Sequence, residues 1–257
     1  MFRDEFNSVC NAAKGKMALL NNNPAGYFMS AMVAGAFITL GGFVTFTLGS
    51  ILTAAGCTIT KVIMAFSFAS ALSLVVMAGA ELFTGNNFVM AAASFKKEVS
   101  WLDTLKLWVV CYLGNFVGAV ILVALFQLGG VPKGATGEYF ATIAAGKMGG
   151  TASALFFKGM LCNMLVCLAV WCCTKMKTES GKLIMIFWCI YIFMACGFEH
   201  SIANMSVMAV GLLNGAGVAG LTVAGYFHNL LWVTLGNIAG GALLVAFPYY
   251  IIQKEKK

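Results

Sequence analysis

Two long apolar runs in this 257-residue chain are each broken midway by polar residues, and the two breaks are alike. The first run covers about 60–95 and is interrupted by Met77-Ala78-Gly79-Ala80-Glu81-Leu82-Phe83-Thr84-Gly85-Asn86-Asn87. The second covers about 183–211 and is interrupted by Met194-Ala195-Cys196-Gly197-Phe198-Glu199-His200-Ser201-Ile202-Ala203-Asn204. Met77 matches Met194, Asn87 matches Asn204, and Glu81 matches Glu199 after one inserted residue. The chain is 61% hydrophobic and only 10% charged, too apolar to coat a water-soluble globule of this size. The runs are therefore read as membrane spans. Polar backbone at lipid depth survives only where protein or a water-filled cavity satisfies it.

Six apolar segments can be drawn, at about 25–48, 60–95, 103–128, 152–174, 183–211 and 222–251. The third and sixth also match. Leu113-Gly114-Asn115-Phe116-Val117-Gly118 parallels Leu235-Gly236-Asn237-Ile238-Ala239-Gly240, with small residues four apart for close helix contact. The chain thus divides into an N-terminal surface helix (1–24), a three-helix repeat (25–128), a connecting loop with an apolar patch near 139–146 (129–151), a second repeat (152–251) and a tail (252–257). Three spans per half force the halves to insert with opposite orientation, as an inverted repeat.

Charge sets the expected orientation. Twelve of the sixteen Lys and Arg residues lie at the two ends or in alternate loops, and only Lys61, Lys133, Lys147 and Lys158 lie on the other side. That bias places both termini in the cytoplasm. A nucleic-acid partner is not expected from the net charge of +7, because no aromatic residues interleave with the lysines. Phe2, Phe6, Val9, Cys10 and Ala13 fall at helical spacing, so the N-terminus reads as an amphipathic surface helix and not as a cleavable leader. The nine cysteines lie mostly in apolar runs without metal-ligand spacing, and no metal or other cofactor is expected.

A broken helix leaves bare N–H groups and a positive dipole end, which favour anions. Glu81 and Glu199 are read as capping those N–H groups. His200 lies inside a break and can exchange a proton near neutral pH, and Thr84 in the other break offers a hydroxyl. Asn163 is a polar residue within the fourth span, facing either a helix interface or a pore. Phe68, Leu82, Phe83, Val166 and Phe193 are bulky apolar residues near the breaks, candidates for narrow constrictions. Lys147 reads as a cation at a mouth or as a lysine snorkelling to headgroups.

Three stretches resemble signatures of the formate/nitrite transporter family. They are Val76–Gly85, Gly159–Ala169, and Glu199-His200-Ser201-Ile202-Ala203-Asn204-Met205. The resemblance implies an aquaporin-like, all-α protomer of six helices with two broken helices, assembled as a homopentamer in the cell membrane with a pore in each protomer. It implies passage of formate, nitrite or hydrosulfide anions, and the full sequence is similar to the family's hydrosulfide channels. By motif, Thr84 and His200 would face each other at the pore centre, Asn163 and Asn204 would assist, and Glu199 would sit behind the histidine. Leu82, Phe83, Val166 and Phe193 would shape slits, and Lys16 and Lys147 would be vestibule lysines.

Rival readings are weaker. An aquaporin-type channel for neutral solutes would carry two Asn-Pro-Ala boxes, and the one here, Asn23-Pro24-Ala25, is unpaired. An ammonium channel would want paired pore histidines. A membrane enzyme would need a nucleophile–base pair or a metal cluster, and neither occurs at convincing spacing. Proton-coupled transport, in place of a channel, stays open.

Overall fold

The computed structural model describes residues 1–215 and 217–254. Residue 216 of the 211–220 loop and residues 255–257 of the expected tail lie outside the described residues. No strand occurs among the described residues. The helices are α1 (Arg3–Asn22), α2 (Pro24–Ala54), α3 (Thr60–Ala78), α4 (Phe83–Phe95), α5 (Trp101–Leu128), α6 (Ala135–Met148), α7 (Ala152–Lys175), α8 (Glu179–Ala195), α9 (Ser201–Asn214), α10 (Val223–Ala239) and α11 (Phe247–Gln253). A π-helical stretch, Gly240–Ala246, joins the last two. Five of these stretches are long and apolar enough to cross a bilayer: α2, α3, α5, α7 and the continuous helix from Val223 to Gln253.

Local chemistry fixes the ends. The Asn23 side chain accepts from the Gly26 N–H at 2.9 Å, and Pro24 opens α2 where no N–H is needed. Ser100 and Thr222 cap α5 and α10 in the same way. The second segment is the pair α3 and α4, the fifth is α8 and α9, and the gaps between them are only residues 79–82 and 196–200. The breaks are therefore shorter than the polar stretches that announce them. Gly79 (φ 78°) and Gly197 (φ 71°) turn the chain at each gap, in a conformation that a side chain would strain.

The two halves repeat each other in packing. Gly114 and Gly118 of α5 lie against the α2 backbone at Phe28 and Met32, and Gly236 and Gly240 lie against the α7 backbone at Phe156 and Met160. A Cβ at Gly118 or Gly240 would collide with the facing carbonyl oxygen. The expected loop at 129–151 instead carries α6, which packs against α9 as α1 packs against α4. The apolar face of α1 is the expected one, with Phe6, Val9, Cys10 and Ala13 buried. It is buried on the protein's own helices, α2, α4 and α7. Phe2 sits 6.2 Å from the Tyr249 ring, so both ends of the described chain lie on one side of the molecule.

Candidate functional site

Each break is held by one asparagine from the following long helix. Asn115 of α5 accepts from the Phe83 N–H at 2.9 Å and donates to the Glu81 and Ala31 carbonyls at 2.9 and 2.7 Å. Asn237 of α10 accepts from the Ser201 N–H at 2.9 Å and donates to the Glu199 and Gly159 carbonyls at 3.1 and 2.8 Å. These amides replace the ladder bonds that the gaps remove. The glutamates do not cap the helices, which corrects the sequence expectation. A carboxylate at lipid depth is better neutralised by a cation, and one is within reach. Lys16 meets Glu81 at 2.6 Å, and Lys147 meets Glu199 at 2.8 Å. The other Glu81 oxygen accepts from Asn86 at 2.9 Å, and Glu199 accepts from Asn204 at 2.6 Å. The structural counterpart of Asn204 is thus Asn86, five residues after its glutamate, and not Asn87.

Thr84 and His200 meet between the breaks, Oγ1 to Nε2 at 3.1 Å, and both are buried. The ring caps its own helix, with Nδ1 accepting from the Ala203 N–H at 3.2 Å. An Nδ1 that accepts carries no hydrogen, so the neutral ring holds its proton on Nε2 and donates it to the Thr84 oxygen. The Thr84 hydroxyl hydrogen is left for another acceptor. Leu82 gives α4 no side-chain cap, so the Thr84 and Gly85 N–H groups in its first turn have no acceptor among the described residues. Asn163 does not reach into this space. It donates to the Thr84, Asn237 and Asn87 oxygens at 3.2, 2.7 and 3.0 Å, tying α7 to the start of α4 and to the asparagine of α10 that holds the second break. The Cys167 thiol also points at the Thr84 carbonyl, at 3.4 Å.

Two cavities approach this centre. One, about 470 Å³, opens on the side of the chain ends and is lined by α1 residues with Lys16, Glu81, Leu82 and Asn86. The other, about 300 Å³, is lined by Lys61, Phe68, Lys147, Phe193, Glu199 and His200 among others. The Phe68 and Phe193 rings lie edge to face at 5.8 Å, and Phe193 stacks on the imidazole at 6.0 Å. Leu82 lines the first cavity, at the position that His200 holds in the second. Phe83 and Val166, expected at constrictions, are buried and line neither cavity. The Phe83 ring instead packs edge to face on Tyr112 at 4.9 Å, because the first turn of α4 directs it toward α5.

Sequence reading missed three participants. Asn115 and Asn237 stand in the repeated Leu-Gly-Asn, where helix contact through the glycines already accounts for the repeat. Asn86 was masked by its neighbour. Lys61, at the second cavity, has no side-chain partner among the described residues. His228 stays apart from the centre, its Nε2 3.1 Å from the Gly150 carbonyl oxygen.

Comparison with known proteins adds an independent finding. The family model described as formate/nitrite transporter matches residues 3–251. The chain is 40% identical to the nitrite transporter NirC of Escherichia coli (strain K12), over 97% of this chain and 92% of that one. It is 34% identical to the formate channel FocA of Haemophilus influenzae, over 91% and 89%. Among solved structures, an FNT family ion channel superposes with a TM-score of 0.91 at 35% identity, covering 98% of this chain and 99% of the other. A pentameric formate channel with formate bound superposes with a TM-score of 0.77 at 29% identity, covering 89% and 96%.

Proposed function

Since the chain belongs to the formate/nitrite transporter family, we propose that it passes small monovalent anions of weak acids through each protomer, at the Thr84–His200 pair. The chain is a membrane protein of a channel and transporter family, not an enzyme. The observation that carries the reading is the donor-rich centre between two oppositely directed cavities. Lys61 draws anions into one cavity, and the paired lysines Lys147 and Lys16 tune the floor of each. Phe68 and Phe193 on one side and Leu82 on the other are the apolar slits.

A bare anion in an apolar slit loses its hydration, so donors must replace the lost water. At the centre these are the Thr84 hydroxyl, whose oxygen accepts the His200 Nε2–H so that its own hydrogen points to the anion, and the bare N–H groups at the start of α4. Asn163, Asn204 and Glu199 act by positioning, since their side chains hold the backbone of one break and the lysine of the other. His200 works as a fixed donor. A second proton, on Nδ1, would expel the Ala203 N–H and uncap α9.

The lysine bias supports cytoplasmic termini and a cell-membrane location. The likeness to a pentameric formate channel supports a homopentamer. Nitrite and formate lead the substrate choice, because the similar proteins carry those names. Hydrosulfide belongs to the same chemical class, and no residue of the centre favours it. The test is flux into proteoliposomes, comparing nitrite, formate and hydrosulfide with chloride and glycerol. Flux of at least one weak-acid anion well above chloride and glycerol is expected. Glycerol flux without anion flux would favour the neutral-solute reading.

A further inference from the structure

Lys97 stands in a backbone conformation that lysine disfavours. It follows the last turn of α4 with φ 64°, while Gly56, Gly79, Gly130 and Gly197 occupy the comparable left-handed positions elsewhere. The Glu98 N–H reaches back to the Ala93 carbonyl at 2.9 Å and the Lys97 N–H to Ser94 at 3.0 Å, a helix end that normally takes glycine. A lysine kept there at a steric cost points to a use for its charge. That charge is exposed, with no side-chain partner among the described residues. The adjacent Glu98 carboxylate is already taken, by Lys14 at 2.8 Å and Lys96 at 2.6 Å.

Lys97 borders a cavity of about 530 Å³ at the α4–α5 corner, shared with Ser94, Phe95, Ser100 and Trp101. Trp101 is half exposed beside Phe95, their rings 5.2 Å apart. An indole beside a free cation at the end of a long apolar helix marks the headgroup level of a bilayer. From there Leu105, Val109 and Leu113 run exposed along α5. The run ends in an apolar groove between α5 and α10, lined by Leu113, Phe116, Phe227, Leu231 and Leu235. Twelve residues of helix separate Trp101 from Leu113, about 18 Å at 1.5 Å per residue. That is close to half of a hydrocarbon core about 30 Å thick.

We propose that this corner, stripe and groove form a binding site for one anionic phospholipid, its phosphate at Lys97 and an acyl chain along α5 into the groove. The charge, the strained lysine and the matching length together select a lipid over a packed protein helix, which favours small residues where this stripe carries the bulky Leu105, Val109 and Leu113. The site is separate from the anion path and does not rest on that reading.

The test uses the full chain in phosphatidylcholine vesicles. Part of the lipid is replaced, at equal mole fraction, by brominated-acyl phosphatidylglycerol or brominated-acyl phosphatidylcholine. Quenching of Trp101 is taken as the difference between the wild type and Trp101→Phe. Phosphatidylglycerol should be preferred by about fivefold, the factor for one lysine at a membrane surface. Lys97→Gln should remove the preference. Lys97→Gly should remove it too while melting no lower than the wild type, which separates lost recognition from misfolding. Equal quenching by both lipids in the wild type would overturn the proposal, as would a preference that survives Lys97→Gln. If inorganic phosphate abolishes the preference and chloride at equal ionic strength does not, the corner takes free phosphate and the lipid assignment fails.

Discussion

Asn115 and Asn237 each join three backbone groups that a broken membrane helix would leave bare. Replacing either by leucine keeps the volume and strands all three. At about 1–3 kcal/mol for each unsatisfied buried group, Asn237→Leu should destabilise the protein by roughly 3 kcal/mol or more. A thermal melt in detergent reads this directly, and an unchanged melting temperature would contradict the clamp. The lysine–glutamate pairs behave differently. Lys147→Met leaves the Glu199 carboxylate mostly buried and unpaired, a loss of about 3–5 kcal/mol. Lys147→Met with Glu199→Gln removes both charges and should recover most of that loss. If the double variant is as unstable as the single one, the charges are not what couples the two residues.

Among the elements, α1 is tied down by charge as well as by its apolar face. Lys14 and Lys96 beside Glu98 hold its carboxyl below the usual range near 4.3. A lowered folded-state value means that the pairing contributes fully above the ordinary carboxylate range and is lost as pH falls through the lower value. Protection of the amides over residues 3–22, relative to free amides at the same pH, should therefore hold from pH 7 to about pH 5 and fall only below about pH 4. Release already at pH 6 would place the control elsewhere. Cys10 reports the same docking. Burial, with Glu98 nearby, pushes its thiol up to about 11, so it should resist maleimide at pH 8 until α1 comes away. The sequence foresaw the buried face of α1 from its spacing but not its support, because periodicity shows which face is apolar and not what covers it. The helix α6 was harder still. Its Ala- and Gly-rich stretch has weak periodicity, and only tertiary contact, chiefly with α9, marks it out.

At the scale of the molecule, the inverted repeat was readable because its signals are chemical: polar residues inside apolar runs and glycines at contact spacing. Those features have few other uses in a membrane helix. The register was less readable. Matching Met77 to Met194 forced an inserted residue, whereas Gly79, Glu81 and Asn86 correspond to Gly197, Glu199 and Asn204 without one. Side-chain direction was not readable at all: Phe83 sits in the right motif, yet the start of α4 turns it away from both cavities. The two cavities also predict sidedness. In a cysteine-free background, Ala12→Cys and Lys61→Cys should react with a membrane-impermeant thiol reagent from opposite sides of the membrane. Labelling of both from one side would rule out the opposed cavities.

The pair at the centre decides the account. Nitrite and formate flux should be measured in proteoliposomes for Thr84→Val, His200→Asn and the double variant, each shown to melt as the wild type does. A loss of at least about tenfold is expected in each single variant, the factor for about 1.4 kcal/mol of lost anion stabilisation. The double variant should fall little further, because the two groups serve one bound anion. Wild-type flux in the folded double variant would mean that the anion crosses somewhere else.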